Sequence, residues 1–284
     1  MERNYRIAGT EITVCVPDDV GYDDSRFLVG FRTEQVTDPH RFEFDLVDEL
    51  SRPEKSLVTK QTEYCVYGDN DVQVRYIGTS ESPYIRVAHT GKNHQVQVKK
   101  GQYIQKISAK TVLNALSMEH LAVESNGFVF HCSYIEDKGK AILFTAPSGT
   151  GKSTQADLWA GYRGADIING DRAVVRMENG EALACGIPFA GSSVYCENRT
   201  LPIKAVVYLA QAPQTTIRKM RGYEAFAKIW EGVSVNTWDK TDMEQVSYVV
   251  QQIVERVPIF HMPCTPDESA VMALEEALRK QENL

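Results

Sequence analysis

The chain has 284 residues, 43% of them hydrophobic and 24% charged, with a formal net charge of −7. At about 150 residues per domain this is one large or two modest domains, long enough to bury a core without disulfide or metal staples. The acidic balance excludes a nonspecific nucleic-acid binder, which needs a basic surface, but leaves room for a local basic pocket that takes phosphates.

No run of about 18 uncharged apolar residues is found, so neither a membrane span nor a membrane partner is expected. The start, Met1-Glu2-Arg3-Asn4-Tyr5, lacks the apolar stretch of a signal peptide. The six cysteines (Cys15, Cys65, Cys132, Cys185, Cys196 and Cys264) are scattered and form no CxxC pair. They read as reduced thiols of a cytoplasmic protein, not as a disulfide framework or a zinc site.

Residues 1 to about 100 read as β-rich. Residues 10–16 alternate, which places Ile12, Val14 and Val16 on one face. Short strands are expected over 27–32, 64–67, 72–77, 84–88 and 94–99. Turn signals such as Gly68-Asp69-Asn70 and Thr90-Gly91-Lys92 separate them. The pattern predicts an antiparallel sheet with one wet face, used for packing or for presenting a substrate. A helix follows, capped by Ser108 and ended by Asn126-Gly127. Val112, Leu113, Leu116, Leu121 and Val123 form its apolar stripe as far as Glu124.

The pattern then changes. Residues 128–133 and 140–145 are continuous apolar runs, as expected of strands buried on both faces, with a hairpin turn at 136–139. Beyond a loop at 146–151 a helix is expected over 152–159. Strands are expected over 166–169, 173–177, 182–185 and 205–209, and helices over 223–231, 242–256 and 267–281. Pro258 stops the second of these helices, and residues 258–262 form a short strand before the last. The composition shift near 105 divides a β-rich N-terminal domain, 1–105, from a domain over 106–284. There is no internal repeat.

The segment Ala146-Pro147-Ser148-Gly149-Thr150-Gly151-Lys152-Ser153-Thr154 matches the P-loop pattern, with Ala146 in place of the first glycine. Gly149 and Gly151 let successive N–H groups turn inward around a polyphosphate, and the helix start adds partial positive charge. Lys152 can reach the β- and γ-phosphates, and the Ser153 hydroxyl can hold Mg²⁺. Ser148, Gly149, Thr150, Gly151, Lys152, Ser153 and Thr154 are therefore the expected nucleotide-binding residues. The competing reading, a glycine turn with a chance lysine, does not explain the strand leading in and the helix leading out.

Two further segments narrow the chemistry. Phe130-His131-Cys132-Ser133 lies on the neighbouring strand, and Ile167-Ile168-Asn169-Gly170-Asp171 runs from apolar residues into a carboxylate. His131, the Ser153 hydroxyl and Asp171 could converge on one metal–triphosphate centre. The bland alternatives are a satisfied core histidine and a strand-end turn residue.

The run of His131-Cys132-Ser133, an apolar strand and Ser148-Gly149-Thr150-Gly151-Lys152-Ser153 resembles ATP-dependent phosphoenolpyruvate carboxykinase. With the acidic element downstream it is also similar to the catalytic domain of HPr kinase/phosphorylase. The likeness spans about residues 125–215. It implies an α/β fold, a mixed-sheet P-loop kinase domain of the HPr kinase/carboxykinase type behind the β-rich N-terminal part. It implies ATP and Mg²⁺ as cofactors, His131 near the metal or the transferred phosphate, and Asp171 at the metal-proximal second position of the families' paired acids. The first position is Gly170 here. HPr kinases use that first acid as general base on a serine hydroxyl, so base catalysis falls to Asp171, to His131 or to nothing.

The loop Gly186-Ile187-Pro188-Phe189-Ala190-Gly191-Ser192-Ser193 offers N–H and hydroxyl donors for phosphate or substrate, against the reading of a plain surface turn. The stretch Glu197-Asn198-Arg199 resembles an arginine-bearing segment of the carboxykinases. That implies Arg199 facing the γ-phosphate, against a surface ion pair. Arg172 and Arg176 read as sheet-edge residues, and Tyr223, Phe226, Trp230 and Trp238 as core aromatics. Residues 236–239 read as a loop without an assigned role.

The expected activity is that of an ATP-dependent kinase. The γ-phosphoryl group passes to a hydroxyl acceptor, serine of a protein or peptide or a small molecule, with Asp171, His131, Lys152 and Arg199 as catalytic residues. The alternative is a noncatalytic nucleotide sensor or scaffold that keeps the cradle. The resemblance also implies a homo-oligomer.

Overall fold

In the N-terminal part, alternating apolar residues build a sheet. A computed structural model describes the chain except residues 25–26, 69–72, 80–81, 102–105, 192 and 283–284. The chain divides into two compact units, Met1–Ser117 and Met118–Leu284. The expected division near 105 falls at the edge of residues outside the description. The observed one places the first helix with the N-terminal unit.

The first unit comprises β1 (Glu2–Ile7), β2 (Thr10–Cys15), β3 (Gly21–Asp23), β4 (His40–Val47) and β5 (Leu57–Lys60). It continues with β6 (Tyr64–Gly68), β7 (Gln73–Thr79), β8 (Ser82–Thr90), β9 (Asn93–Lys99), β10 (Lys106–Ser108) and α1 (Ala109–Ala115). Among the described residues, eight strands form one sheet in the order β1-β2-β4-β9-β8-β7-β6-β5. The sheet is mixed, not antiparallel as expected, because β4 runs parallel to both β2 and β9. Ile12, Val14, Phe42, Phe44, Val87, Val96 and Val98 are buried in it.

The strand expected over 27–32 is a turn with a 3₁₀ helix at Val29–Phe31. Leu28 and Phe31, three residues apart and both buried, fall on one side of that tight turn, the spacing of a 3₁₀ helix and not of a strand. Of the expected turn at Gly68-Asp69-Asn70, Gly68 ends β6, and the rest, with the strand start at Val72, lies outside the description.

The second unit comprises α2 (Met118–Glu124), β11 (Gly127–His131), β12 (Ser133–Asp137), β13 (Lys140–Thr145), α3 (Lys152–Arg163), β14 (Asp166–Asn169), β15 (Arg172–Glu178) and β16 (Glu181–Gly186). Then come β17 (Thr200–Gln211), β18 (Arg218–Met220), α4 (Gly222–Trp230), β19 (Val233–Ser234), α5 (Lys240–Arg256), β20 (Ile259–Cys264) and α6 (Glu268–Glu282). The single helix expected over 108–124 is two helices. Ser108 does cap α1, its hydroxyl accepting the Thr111 N–H. At Ser117 the backbone turns left-handed (φ 52°) and α2 starts afresh.

A mixed ten-strand sheet organises this unit among the described residues. Its main path is β14-β12-β13-β17-β16-β15-β11-β19, with β20 paired to β17 and β18. The twelve-residue β17 is its spine: Thr200, Leu201 and Pro202 pair with β16, and Ile203 and then Ala205 to Tyr208, across a register shift, pair parallel with β13. Two cores flank the sheet. Trp159, Phe144, Met262 and Leu274 lie in the one that α3 and α6 cover. Phe128, Phe130, Val246 and Val250 lie in the other, beneath α5. Phe226 and Trp230 of α4 stack at 5.6 Å and pack on that second core, as expected, whereas Tyr223, also expected in the core, is exposed at the start of α4.

The topology gathers three chain ends at one edge. Strand β12 lies antiparallel between β13 and β14, with Ser133 level with Phe144 and Tyr134 level with Asn169. The exits of β13 and β14 therefore lie beside the entry of β12, where His131 and Cys132 arrive from β11.

Gly186 shows how tightly this edge is packed. A Cβ there would lie 1.9 Å from the Glu197 carbonyl oxygen. Gly186→Ala should lower stability by about 2 kcal/mol or more, read as a fall in the urea midpoint. Gly161→Ala, in α3 where the added methyl would meet nothing within 4 Å beyond the nearby backbone of its own helix, should leave the midpoint unchanged or raise it.

Candidate functional site

The glycine loop leaves β13 at Ala146 and enters α3 at Lys152. Gly149 (φ 78°) and Gly151 (φ 116°) adopt left-handed conformations, and a Cβ at either would meet nothing within 4 Å. Backbone conformation, not space, requires glycine there. The Thr150 N–H donates to the Pro147 carbonyl at 3.3 Å, while those of residues 148, 149, 151, 152 and 153 make no backbone hydrogen bond among the described residues. Amides left open at a helix start favour an anion. Lys152 is buried and folds back over the loop, its ammonium donating to the Ala146 carbonyl at 3.0 Å. Burial holds its pKa below the usual lysine value, opposed by Cys132 and the Asp171 carboxylate.

The loop forms one wall of a cavity of about 570 Å³. Ser148, Gly149, Gly151, Lys152, Ser153 and Thr154 line it, and His131 and Asp171 line it as well. Of the expected nucleotide-binding residues, Thr150 is not part of the lining. His131 is held by its own backbone: its N–H donates to Gly232 at 2.8 Å and its carbonyl accepts the Thr145 hydroxyl at 3.0 Å. Its Nε2 lies 3.7 Å from Asp171 Oδ1, an electrostatic pair beyond hydrogen-bond length. Burial lowers the His131 pKa, the Lys152 ammonium lowers it further, and Asp171 partly restores it.

Asp171 is placed by a residue the sequence reading passed over. Asn169 is fully buried, and its Oδ1 accepts the N–H groups of Asp171 and Arg172 at 2.9 and 3.0 Å. Its Nδ2 donates to the carbonyls of Ile187 and Phe189 at 2.9 and 3.0 Å. One amide thus joins the acid-bearing turn to the loop after β16. The Ser133 hydroxyl donates to the Gly170 carbonyl, and the Cys132 N–H to that of Asp171. Gly170 has no room for a side chain, since a Cβ would lie 2.3 Å from Ser193 Oγ. The loop 186–193 is therefore no free surface turn. Its residue 192 lies outside the description.

Arg199 is not brought to this cavity. Its guanidinium pairs with Glu136, Asp166 and Glu197, the surface ion-pair alternative. The cation beside Asp171 is instead Arg172, whose Nε donates to Oδ2 at 3.2 Å. Asp157 also lines the cavity and was not anticipated. Its spacing of four residues from Ser153 sets both on one helix face, which was a readable signal. Residues 236–239 serve α5: Asp239 accepts the N–H groups of Thr241 and Asp242 as its cap.

Among the described residues, no three His, Cys, Asp or Glu side chains group as a metal site. Mg²⁺ takes one or two protein oxygens and completes its shell with water and substrate phosphate. The Ser153 hydroxyl and the Asp171 carboxylate fit such an ion and do not fit a resident zinc. Among the described residues, no helix is long and apolar enough to cross a membrane.

The fold and this edge define a mixed α/β protein with a glycine-loop cradle between a buried strand and a helix. Residues 96–266, more than half of the chain, match the family model of SynChlorMet cassette protein ScmC, and the chain belongs to that family. No curated protein matches it. Among solved structures, the Hpr(Ser) kinase/phosphatase from Coxiella burnetii is similar at 12% identity with a TM-score of 0.32. The match covers 54% of this chain and 98% of that one, a likeness too distant to bear on fold or activity.

The electrostatics of the pair can be read directly. In metal-free buffer, the His131 ring protons should titrate below the usual imidazole value of about 6.5. Asp171→Asn removes the group that raises the pKa, so the titration should move lower still. Proton NMR of the imidazole resonances measures both, and an upward move in the variant would contradict the assignment.

Proposed function

We propose that the chain is an ATP-dependent phosphotransferase of the HPr-kinase type, which moves the γ-phosphoryl group to a hydroxyl acceptor. The observation that carries this reading is the meeting, in one cavity, of the open loop N–H groups, Lys152, His131 and Asp171. Phosphoryl transfer needs positioning and charge stabilisation more than covalent chemistry, and these residues supply both. The loop amides and the α3 start hold the phosphates. Lys152 exchanges the Ala146 carbonyl for a phosphate oxygen. Ser153 and Asp171 would hold Mg²⁺, which neutralises phosphate charge when bound.

His131, kept neutral by burial, is available to take the acceptor's proton, and Asp171 stabilises the cation that results. With glycine at 170, this pair takes the place of the absent carboxylate. The acceptor is serine of a protein or peptide, or a small-molecule alcohol. The missing carboxylate at 170 favours a second reading, a nucleotide sensor that binds without turnover.

Calorimetry and a screen of acceptors with radiolabelled ATP separate the two. Lys152→Ala should abolish transfer and weaken ATP binding roughly tenfold or more, the scale of losing charge-assisted hydrogen bonds. Asp171→Asn should lower kcat by roughly 10² while changing ATP affinity much less, and His131→Ala should cost less. Binding without transfer to any acceptor would establish the sensor instead. Unchanged ATP affinity in Lys152→Ala would remove the cradle from both readings.

A further inference from the structure

The cavity has a second wall, built by the chain after Gly186. Asn169 anchors this segment through the Ile187 and Phe189 carbonyls, and the Ser193 N–H closes a turn on Ala190 at 2.8 Å. Gly191 is left-handed (φ 54°), and a Cβ on it would lie 2.8 Å from the Asp171 carboxyl carbon. The segment is thus seated on the acid-bearing turn. Ser193 is its point of contact with Gly170, where an added Cβ would lie 2.3 Å from Oγ and 2.7 Å from the Ser193 Cβ. The same serine lines the cavity shared by Lys152, His131 and Asp171.

Its hydroxyl is oriented for use. The oxygen accepts the Tyr195 N–H at 3.1 Å, which fixes the side chain without consuming the hydroxyl proton. The residue is half-buried, and Val194 and Tyr195 beyond it are exposed, so this end of the segment faces solvent. Ser148, Ser153 and Thr154 also bring hydroxyls to the cavity, but they belong to the cradle that holds the donor. Ser193 lines the same cavity from the segment after β16, against Gly170 and next to the Asp171 turn.

We propose that Ser193 is a phosphoryl acceptor in cis, so that the chain supplied with ATP phosphorylates itself at this residue. The proposal rests on the phosphotransferase reading above and names an acceptor for that site. In the step, Ser193 Oγ forms a bond to the γ-phosphorus. The bond from that phosphorus to the β,γ-bridging oxygen breaks, and its electron pair leaves with ADP. The hydroxyl proton passes to the His131–Asp171 pair. The products are phosphoserine 193 and ADP.

The test incubates the purified full-length chain with Mg²⁺ and ATP, follows intact mass, and maps the modified peptide by fragmentation. One phosphate on Ser193 is expected, with a first-order rate independent of protein concentration. Ser193→Ala and Lys152→Ala should both lose it, and the melting curve of each variant checks that it is folded. Phosphate on another residue, or a rate that rises with protein concentration, would overturn the proposal. Transfer to an external acceptor with Ser193 unmodified would overturn it too, leaving the phosphotransferase reading in place. A chain that binds no ATP would overturn both.

Discussion

The carboxamide of Asn169 is the constraint on which the site depends. It is fully buried, yet all four of its hydrogen-bonding positions are engaged. Two fix the direction of the backbone through Asp171 and Arg172, and two hold the segment after β16. Each bond contributes on the order of 1 kcal/mol, but a buried partner left open costs more, so the group holds or fails together. No aliphatic side chain could replace it, because four backbone groups would then be stranded. The position of Asp171 relative to His131 is therefore set from inside the protein and not by the exposed carboxylate itself.

Charge is distributed unevenly around this edge. The chain carries net negative charge, yet two cations act on Asp171: Lys152 feels its charge, and Arg172 hydrogen-bonds to it. Lys152 is drawn into the interior by its bond to Ala146, and burial makes the charged form costly. An anion that replaced the carbonyl as partner would relieve that cost. His131 responds to the same burial in the opposite functional sense: it gives up its proton more readily and stays a base. The two groups are thus poised by one physical cause, exclusion of water.

Much of this edge was legible from local spacing. The P-loop pattern, the apolar strand before it and the helix after it sit in consecutive residues, so the cradle could be read directly. The strand over 140–145 announced itself by an uninterrupted apolar run, but the run over 128–133 is not one strand: β11 ends at His131 and β12 starts at Ser133, a break at Cys132 that only their different pairing partners reveal. What depended on distant partners could not be read. Arg199 precedes a strand just as an arginine aimed at phosphate would, and only the fold brings Glu136 and Asp166 to it. Asn169 read only as the end of a strand, because its acceptors lie 18 and 20 residues away. The parallel pairings of β4 were hidden for the same reason, since parallel neighbours need long connections that leave no local turn signal. The alternation of Phe42 and Phe44 within β4 was readable and was missed.

One peptide unit in the glycine loop behaves differently from its neighbours. The carbonyl of Gly149 accepts from Gln211 Nε2 at 3.3 Å, and the N–H of Thr150, in the same planar unit, donates to Pro147. Carbonyl and amide point opposite ways, so this plane is latched at both ends while the planes around it are open. Swinging it to present its amide inward would release both bonds at once. The latch also reaches Gln211, the last residue of β17, the strand that carries β16 at its other end. The loop therefore has a rigid middle and adaptable flanks, and its resting shape is coupled to the spine of the sheet.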